Sequence, residues 1–205
     1  MAFEIKKKEP VLSSEMQDLI DKTHGDSKGD KYDDIERYKY LIMKLLTEDQ
    51  DILNTLHNKD LEIKYRNEDG IINGDAYRDV NIYSFLKIPD SQSVVKNFIC
   101  FEVDDVEIPR YSEVLIEKNI IFRTISHEDD YKTDWGVNRQ DLLAAIIKSK
   151  FDWSNVFGMH IEKVYDKGRV AENGYYYREF IFETTVLNNL VNKAKNGGIA
   201  YGNKR

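Results

Sequence analysis

NRQDLLAAIIKSKFDWSNVFG, residues 138–158, decides how this chain folds. Leu142, Leu143, Ile146, Ile147 and Phe151 recur at the three-and-four spacing that paints one apolar stripe along a helix. Asn138 is placed to cap the start, and Asp141 puts a carboxylate in the first turn, where it complements the unpaired amides and the helix dipole. Lys148 and Lys150 suit the other end, and Ser154, Asn155 and Gly158 close the segment. Burying five large apolar side chains contributes on the order of 10 kcal/mol before entropy is charged, at about 2 kcal/mol each. Such a stripe needs a sheet to cover it, and strand-like runs stand on both sides of the helix.

Those runs are four. Residues 98–106 and 118–126 alternate apolar side chains with partly buried neighbours, as strands covered on both sides for part of their length do. Residues 159–165 and 175–185 form a second pair, joined by a loop over 166–174 that contains Gly168 and the turn pair Asn173-Gly174. Tyr176, Phe180 and Phe182 share one strand face while Glu179 and Glu183 share the other with Ile181, so one face is wetter. Between the first two strands, Pro109, Arg110, Tyr111, Ser112 and Glu113 make a connection too long for a tight hairpin, and a projecting loop is expected there.

Ahead of the strands, Asp33 or Asp34 caps a helix carrying Ile35, Tyr38, Ile42, Leu45 and Leu46. A capping box over 47–50 starts another, carrying Ile52, Leu53 and Leu56. Residues 64–95 read as a long loop, with NEDGIING at 67–74 and a break at Pro89. A loop of that length in a compact domain is usually functional or ordered by a partner, so intersubunit contacts are expected there. Order and patterning give an α+β fold, a twisted antiparallel or mixed sheet with helices packed on one side. Residues 31–187 form this single domain. Residues 1–30 form a flexible arm, which includes a short helix capped by Ser14 and Gln17, and residues 188–205 a flexible tail.

The chain has 205 residues, enough for one core, and a net charge of -7 from 30 basic and 37 acidic side chains. That balance excludes a protein that coats nucleic acid through clustered Lys and Arg. One cysteine, Cys100, cannot form an internal disulfide, and no apolar run approaches a membrane span or a signal-peptide core, so a soluble protein of a reducing cytoplasm is expected. Thirteen tyrosines hint at interfaces.

The common enzyme signatures are missing: no phosphate-binding GxxxxGK[ST], no GxSxG, no HExxH, no paired CxxC. No cofactor is expected. The remaining chemical candidate is His127, Glu128, Asp129 and Asp130 with Asp134, where carboxylates and a histidine can hold a divalent cation for hydrolysis; a solvated acidic loop leading into the Asn138 helix explains the same residues. Cys100 and His127 make a poor nucleophile and base, because Cys100 sits inside an apolar strand that raises its pKa. His160 alternates with Met159 and Ile161 and reads as a half-buried strand residue. Trp135 and Trp153 flank the helix as anchors for the core or an interface, since neither has the cationic surroundings of a base-stacking platform.

The runs FICFEVDDVEIPRYSEV, IIFRTISHEDD, NRQDLLAAIIKSKFDWSNVFG and YYYREFIFETT resemble the neck proteins of tailed bacteriophages, the ring-forming head-to-tail connectors of the tail-terminator or stopper kind. The likeness covers roughly residues 60–185 and is strongest over 141–157. It implies an α+β subunit in a six-fold or twelve-fold homo-oligomeric ring in the virion neck, in contact with portal or adaptor and tail-tube proteins. Double-stranded DNA passes through such a ring without sequence-specific binding. The resemblance implies no enzyme activity, cofactor, metal or membrane; the loop residues Pro109 to Glu113 and Trp135 become the candidate subunit contacts. Tail terminator is the first reading, a stopper or head-completion ring the second, and a metal-dependent hydrolase at the His127 cluster the third. A net charge of -7 suits a conduit, because an acidic lining repels phosphates and lets DNA slide.

Overall fold

The computed structural model of the protein describes residues 34–87, 96–107, 115–154, 160–171 and 173–187, together with Ser13, Ser14 and Met16. The arm expected over 1–30, apart from those three residues, and the tail over 188–205 lie outside the described residues. So do Pro109, Arg110, Tyr111, Ser112 and Glu113. Among the three described residues of the arm it is Ser13, not Ser14, whose hydroxyl accepts from Met16 N, at 3.2 Å; Gln17 lies outside the described residues.

Among the described residues five strands form one sheet in the order β1-β2-β3-β5-β4. They are β1 (Ile82–Tyr83), β2 (Asn97–Glu107), β3 (Leu115–His127), β4 (Ile161–Val170) and β5 (Tyr175–Leu187). β1 runs parallel to β2 and every other pair is antiparallel, so the sheet is mixed. Among the described residues four helices accompany it: α1 (Asp34–Glu48), α2 (Gln50–Leu56), α3 (Lys59–Tyr65) and α4 (Arg139–Phe151). α1 lies over β2, α4 over β3 and β5, and α2 wedges between the two helices.

Strand alternation sorts the side chains into two faces. Phe101, Phe122 and Phe180 stand opposite one another in register across β2, β3 and β5, and Val103, Ile120 and Phe182 form the next row. Phe122 is the centre of this layer, stacked on Phe180 at 5.4 Å and within 6.0 Å of Phe101, Phe151 and Phe182. The helices seal it with Tyr38, Ile42 and Leu46 from α1, Leu53 and Leu56 from α2, and Leu143, Ile147 and Phe151 from α4.

The stripe on α4 is turned from the one read in the sequence. Leu143, Ile147 and Phe151 are buried, Ile146 packs at the margin of the core, and Leu142 is only half-buried and stands outside it. Ala144 takes the fourth buried apolar place. Asn138 precedes the helix but its side chain caps nothing; it donates to Asp141 Oδ2 at 3.2 Å instead. At α2 the cap is Asp49, which accepts from Asp51 N and Ile52 N, while Thr47 belongs to α1.

Residues 64–83 are not an open loop awaiting a partner. α3 ends at Tyr65, a 3-10 turn spans Gly74–Tyr77, and Ile72, Tyr77 and Ile82 are buried in the protein's own core. Gly74 makes this possible: a β-carbon there would sit 1.8 Å from the carbonyl oxygen of Thr47, so only glycine lets the turn lie against the end of α1. The loop expected over 166–174 is mostly strand, since β4 runs to Val170 and the hairpin closes at Asn173 and Gly174, both at positive φ.

Candidate contact surfaces and a polar hub

At one end of the sheet, where β2 begins and β3 ends, residues far apart in the chain converge on Asp130. His57 Nδ1 donates to its carboxylate at 2.9 Å, Asn97 Nδ2 at 2.7 Å, and Arg139 Nη2 at 2.9 Å. Arg139 is buried, and it also donates to the carbonyls of Thr55, Asp130 and Lys132. Two of these bonds close the last turn of α2, whose terminal carbonyls have no partner within the helix: Arg139 serves Thr55 O and Asn97 serves Leu56 O. His57 reaches Asp130 because it stands in the left-handed region at φ 52°, reversing the chain between α2 and α3. Burial pushes the Asp130 carboxyl up, but the hydrogen bonds from His57 and Asn97 and the charge of Arg139 outweigh it and hold the group below the ordinary carboxylate value. An open cleft of about 490 Å³ lies beside the hub, lined by His57, Asn58, Asn81, Lys96, Asp129 and Asp130 among others.

This arrangement redistributes the acidic run. Asp130 is held by His57 and Arg139, Asp129 pairs with Lys96, and Glu128 N donates to Gly174 O at 2.8 Å. His127 Nδ1 accepts from Asp129 N at 3.2 Å, while Asp134 is exposed in the turn that follows. Among the described residues no group of three or more His, Cys, Asp or Glu stands close enough to hold a metal ion. Asp129 and Asp130 already have protein cations as partners, and the arrangement around Asp130 is that of a structural clamp. Cys100 is buried, and burial raises its thiol to about 11, which leaves no thiolate for nucleophilic chemistry.

Trp135 stands at the same end, at the tip of a tight turn and 73 % exposed. Thr133 N donates to Val137 O, Gly136 N to Thr133 O, and Thr133 Oγ1 to Val137 O, each at 2.9 Å, so the turn that carries the indole is fixed. Gly136 supplies the positive φ of 78° that the turn requires. At the opposite end of α4, Trp153 is 69 % exposed and also fixed. Its backbone N–H donates to Ile161 O at 3.0 Å, and its ring lies against His160 at 4.6 Å. His160 is thus an exposed neighbour of Trp153, just before β4, rather than a half-buried strand residue. Trp153 holds φ 59°, a conformation that costs a bulky side chain of order 1–3 kcal/mol. α4 rises about 20 Å between the two tryptophans at 1.5 Å per residue.

The second face of the sheet is unlike the first. Its lower corner is covered by Tyr83 of β1 and Leu86 just after it, which pack with Phe98, Cys100, Ile125 and Tyr175. Above that corner, among the described residues, no helix lies on it. Arg123 Nε donates to Glu179 at 2.5 Å and its guanidinium lies over Tyr177, while Arg169 donates to Tyr165 OH at 2.9 Å.

Residues 49–184 match the model of the YomW family, a stretch that opens at the cap of α2 and closes within β5. It takes in the polar hub, both tryptophans and almost all of the sheet, and leaves α1 outside. No curated protein matches the chain. The family's name is of the prophage type, which makes this a phage-associated protein.

Proposed function

We propose, from the premise that the chain belongs to the YomW family, that it is a non-enzymatic virion component: a neck-ring subunit of tail-terminator type that joins the DNA-filled head to the tail. The observation that carries this reading is the pair of exposed tryptophans at opposite ends of α4, each set on a turn fixed by hydrogen bonds. Exposed tryptophan on a preorganised turn is what interface anchors are made of, because a large rigid side chain buries much area at little entropic cost. A subunit between two layers needs one such anchor above and one below. Trp135 then meets one neighbouring layer and Trp153 the other.

Three further features support the reading. The polar hub ties the turn carrying Trp135 to α2 and to the first residue of β2, so force on that end passes into the sheet. The net charge of -7 suits a channel through which DNA must slide. Ring closure needs unlike surfaces to meet on successive copies, and the sheet offers a helix-covered side and an uncovered one. Each contact is weak alone and is strengthened by closure, so the free subunit is expected to be a monomer.

The test is electron microscopy of lysates from phage that lack the gene, and from phage in which residues 111–114 are replaced by two glycines. Filled heads beside unattached tails are expected in both, with irregular tail length marking a terminator and emptied heads marking a stopper layer. Normal infectious particles in either case refute the proposal.

A further inference from the structure

The two flanks of the sheet are opposite in charge, and both expose apolar side chains. On one flank α3 packs on the 3-10 turn that leads into β1, the strand at one end of the sheet order, and β4 closes the other end. Four strand-to-strand steps separate β1 from β4, and at about 4.8 Å a step they stand about 19 Å apart. After α3 the chain turns over residues 67–70, and the turn is fixed. Asn67 Oδ1 accepts from Ile71 N at 2.8 Å, Gly70 N donates to Asn67 O at 3.0 Å, and Arg66 Nη1 donates to Gly70 O at 2.9 Å. This corner presents Ile63, 84 % exposed, and Ile71, half exposed. Glu68 and Asp69 stand exposed at its tip, and neither has an ion pair among the described residues. Arg66 is taken by Glu62 and Lys64 lies over the ring of Tyr65, so the charge left at the tip is acidic.

On the opposite flank β4 presents the reverse. Lys167 and Arg169 are exposed, and among the described residues they turn to tyrosine rather than to a carboxylate: Arg169 Nη2 donates to Tyr165 OH at 2.9 Å, and Lys167 lies over the same ring. Glu179 stands across from Lys167 but is taken by Arg123. Val164 and Val170 are exposed on the same strand, Val170 to 73 %. An outermost strand that carries lysine and a bulge is guarded against pairing with another strand, and β4 has its bulge at Val164, between Lys163 and Tyr165. What this flank offers a partner is therefore its side chains and not its backbone.

Two isoleucines beside two unpaired acids on one flank, and two valines beside two cations on the other, match in sign and in character. They cannot meet within one chain, because the sheet lies between them. Neither patch fits itself, since acid would face acid and cation would face cation. We infer that the corner of one copy docks on the β4 flank of the next, Glu68 and Asp69 meeting Lys167 and Arg169 while Ile63 and Ile71 cover Val164 and Val170. Unlike patches on a single chain make a heterologous contact, which closes into a ring when the rotation between copies allows it. The inference deepens the proposed function by naming the lateral contact between copies, and it rests on that reading for the closing of the ring.

The test places cysteine on full chains one at a time, as I71C on the corner and V170C on β4, which leaves all four charges in place. Equal amounts are mixed in concentrated solution and disulfide-linked dimers are followed by mass spectrometry, Cys100 being buried and silent. Mixed dimers should form about tenfold faster, or more, than either variant links to itself. That advantage should shrink in 1 M salt, where the Debye length is about 3 Å. Adding Glu68→Lys and Asp69→Lys to the first variant should remove it, and adding Lys167→Glu and Arg169→Glu to the second should then bring it back, because the reversed pairs match again. Self-linking as fast as mixed linking, an advantage that survives the first reversal, or one that the second reversal does not restore would each overturn the inference. The contact is read on purified protein and the neck role in phage, so the failure of one is distinguished from the failure of the other.

Discussion

The two faces of the sheet are made by the same strands, residue by alternate residue, yet they do different work. On the covered face Phe101, Phe122 and Phe180 line up under the helices and exclude water. On the other, Arg123 bonds to Glu179, Arg169 to Tyr165, and Asp104, Glu183 and Glu162 stand in one register row without cations among the described residues. Stability therefore resides mainly on one side, where burial is complete, and the proposed layer contacts fall at the two ends of α4, outside that core. The division shows why a chain can be a third charged and still fold: where the alternation does turn a charged side chain toward the helices, as at Lys118 and Asp166, it is paired with an opposite charge.

The contrast is broken first at its strongest point. Phe122→Ala removes the ring shared by four aromatic neighbours and should cost about 4 kcal/mol in urea unfolding, within the range for buried Phe→Ala. Gly74→Ala comes next at about 3 kcal/mol, because the new methyl meets backbone at the end of α1 that cannot swing aside. A change below about 0.5 kcal/mol at either position would mean that the covered face is not packed as described.

A smaller effect separates charge from packing. Asp166 turns toward the helices, where Arg178 and Lys148 bond to it at 2.6 and 2.7 Å. Burial raises its carboxyl, but those bonds and charges prevail and hold it at about 2, below its ordinary 3.8. The folded protein thus binds the proton less readily than the unfolded chain, so this contribution is complete above about pH 4 and is lost as pH falls toward 2. Asp166→Asn should flatten the loss of stability between those values, and an unchanged pH profile would contradict the assignment. The smallest effect is expected at Ile121→Ala on the uncovered face, below about 1 kcal/mol, since its side chain is only half-buried.

The sequence made the four long strands and α4 legible because both patterns repeat, one every second residue and the other every three or four, but not β1, two residues long inside a stretch read as loop. It hid α3, where no residue is fully buried and so no stripe exists to be read. It hid the role of residues 67–83 for a related reason: the buried Ile72, Tyr77 and Ile82 fall five apart, a spacing that belongs to neither helix nor strand. The face of α4 was displaced because a small residue, Ala144, and two polar ones, Arg139 and Gln140, take buried places that a reading by hydrophobicity assigns elsewhere. The hub was out of reach altogether. His57 is 73 positions from Asp130, and Arg139 is 84 from Thr55, so no local pattern joins them. The acidic run was visible, but the cations that occupy it come from three other parts of the chain.

The central claim is that the two fixed tryptophans fasten the subunit to the layers above and below. The most direct test is electron microscopy of phage carrying Trp135→Ala together with Trp153→Gly. Both side chains are exposed, and glycine relieves the positive φ at position 153, so the purified variant should unfold at a denaturant concentration equal to or above that of the unaltered protein. Filled heads separated from tails, with the variant subunit folded and monomeric in solution, are the predicted result. Joined, infectious particles bearing the folded double variant would contradict it.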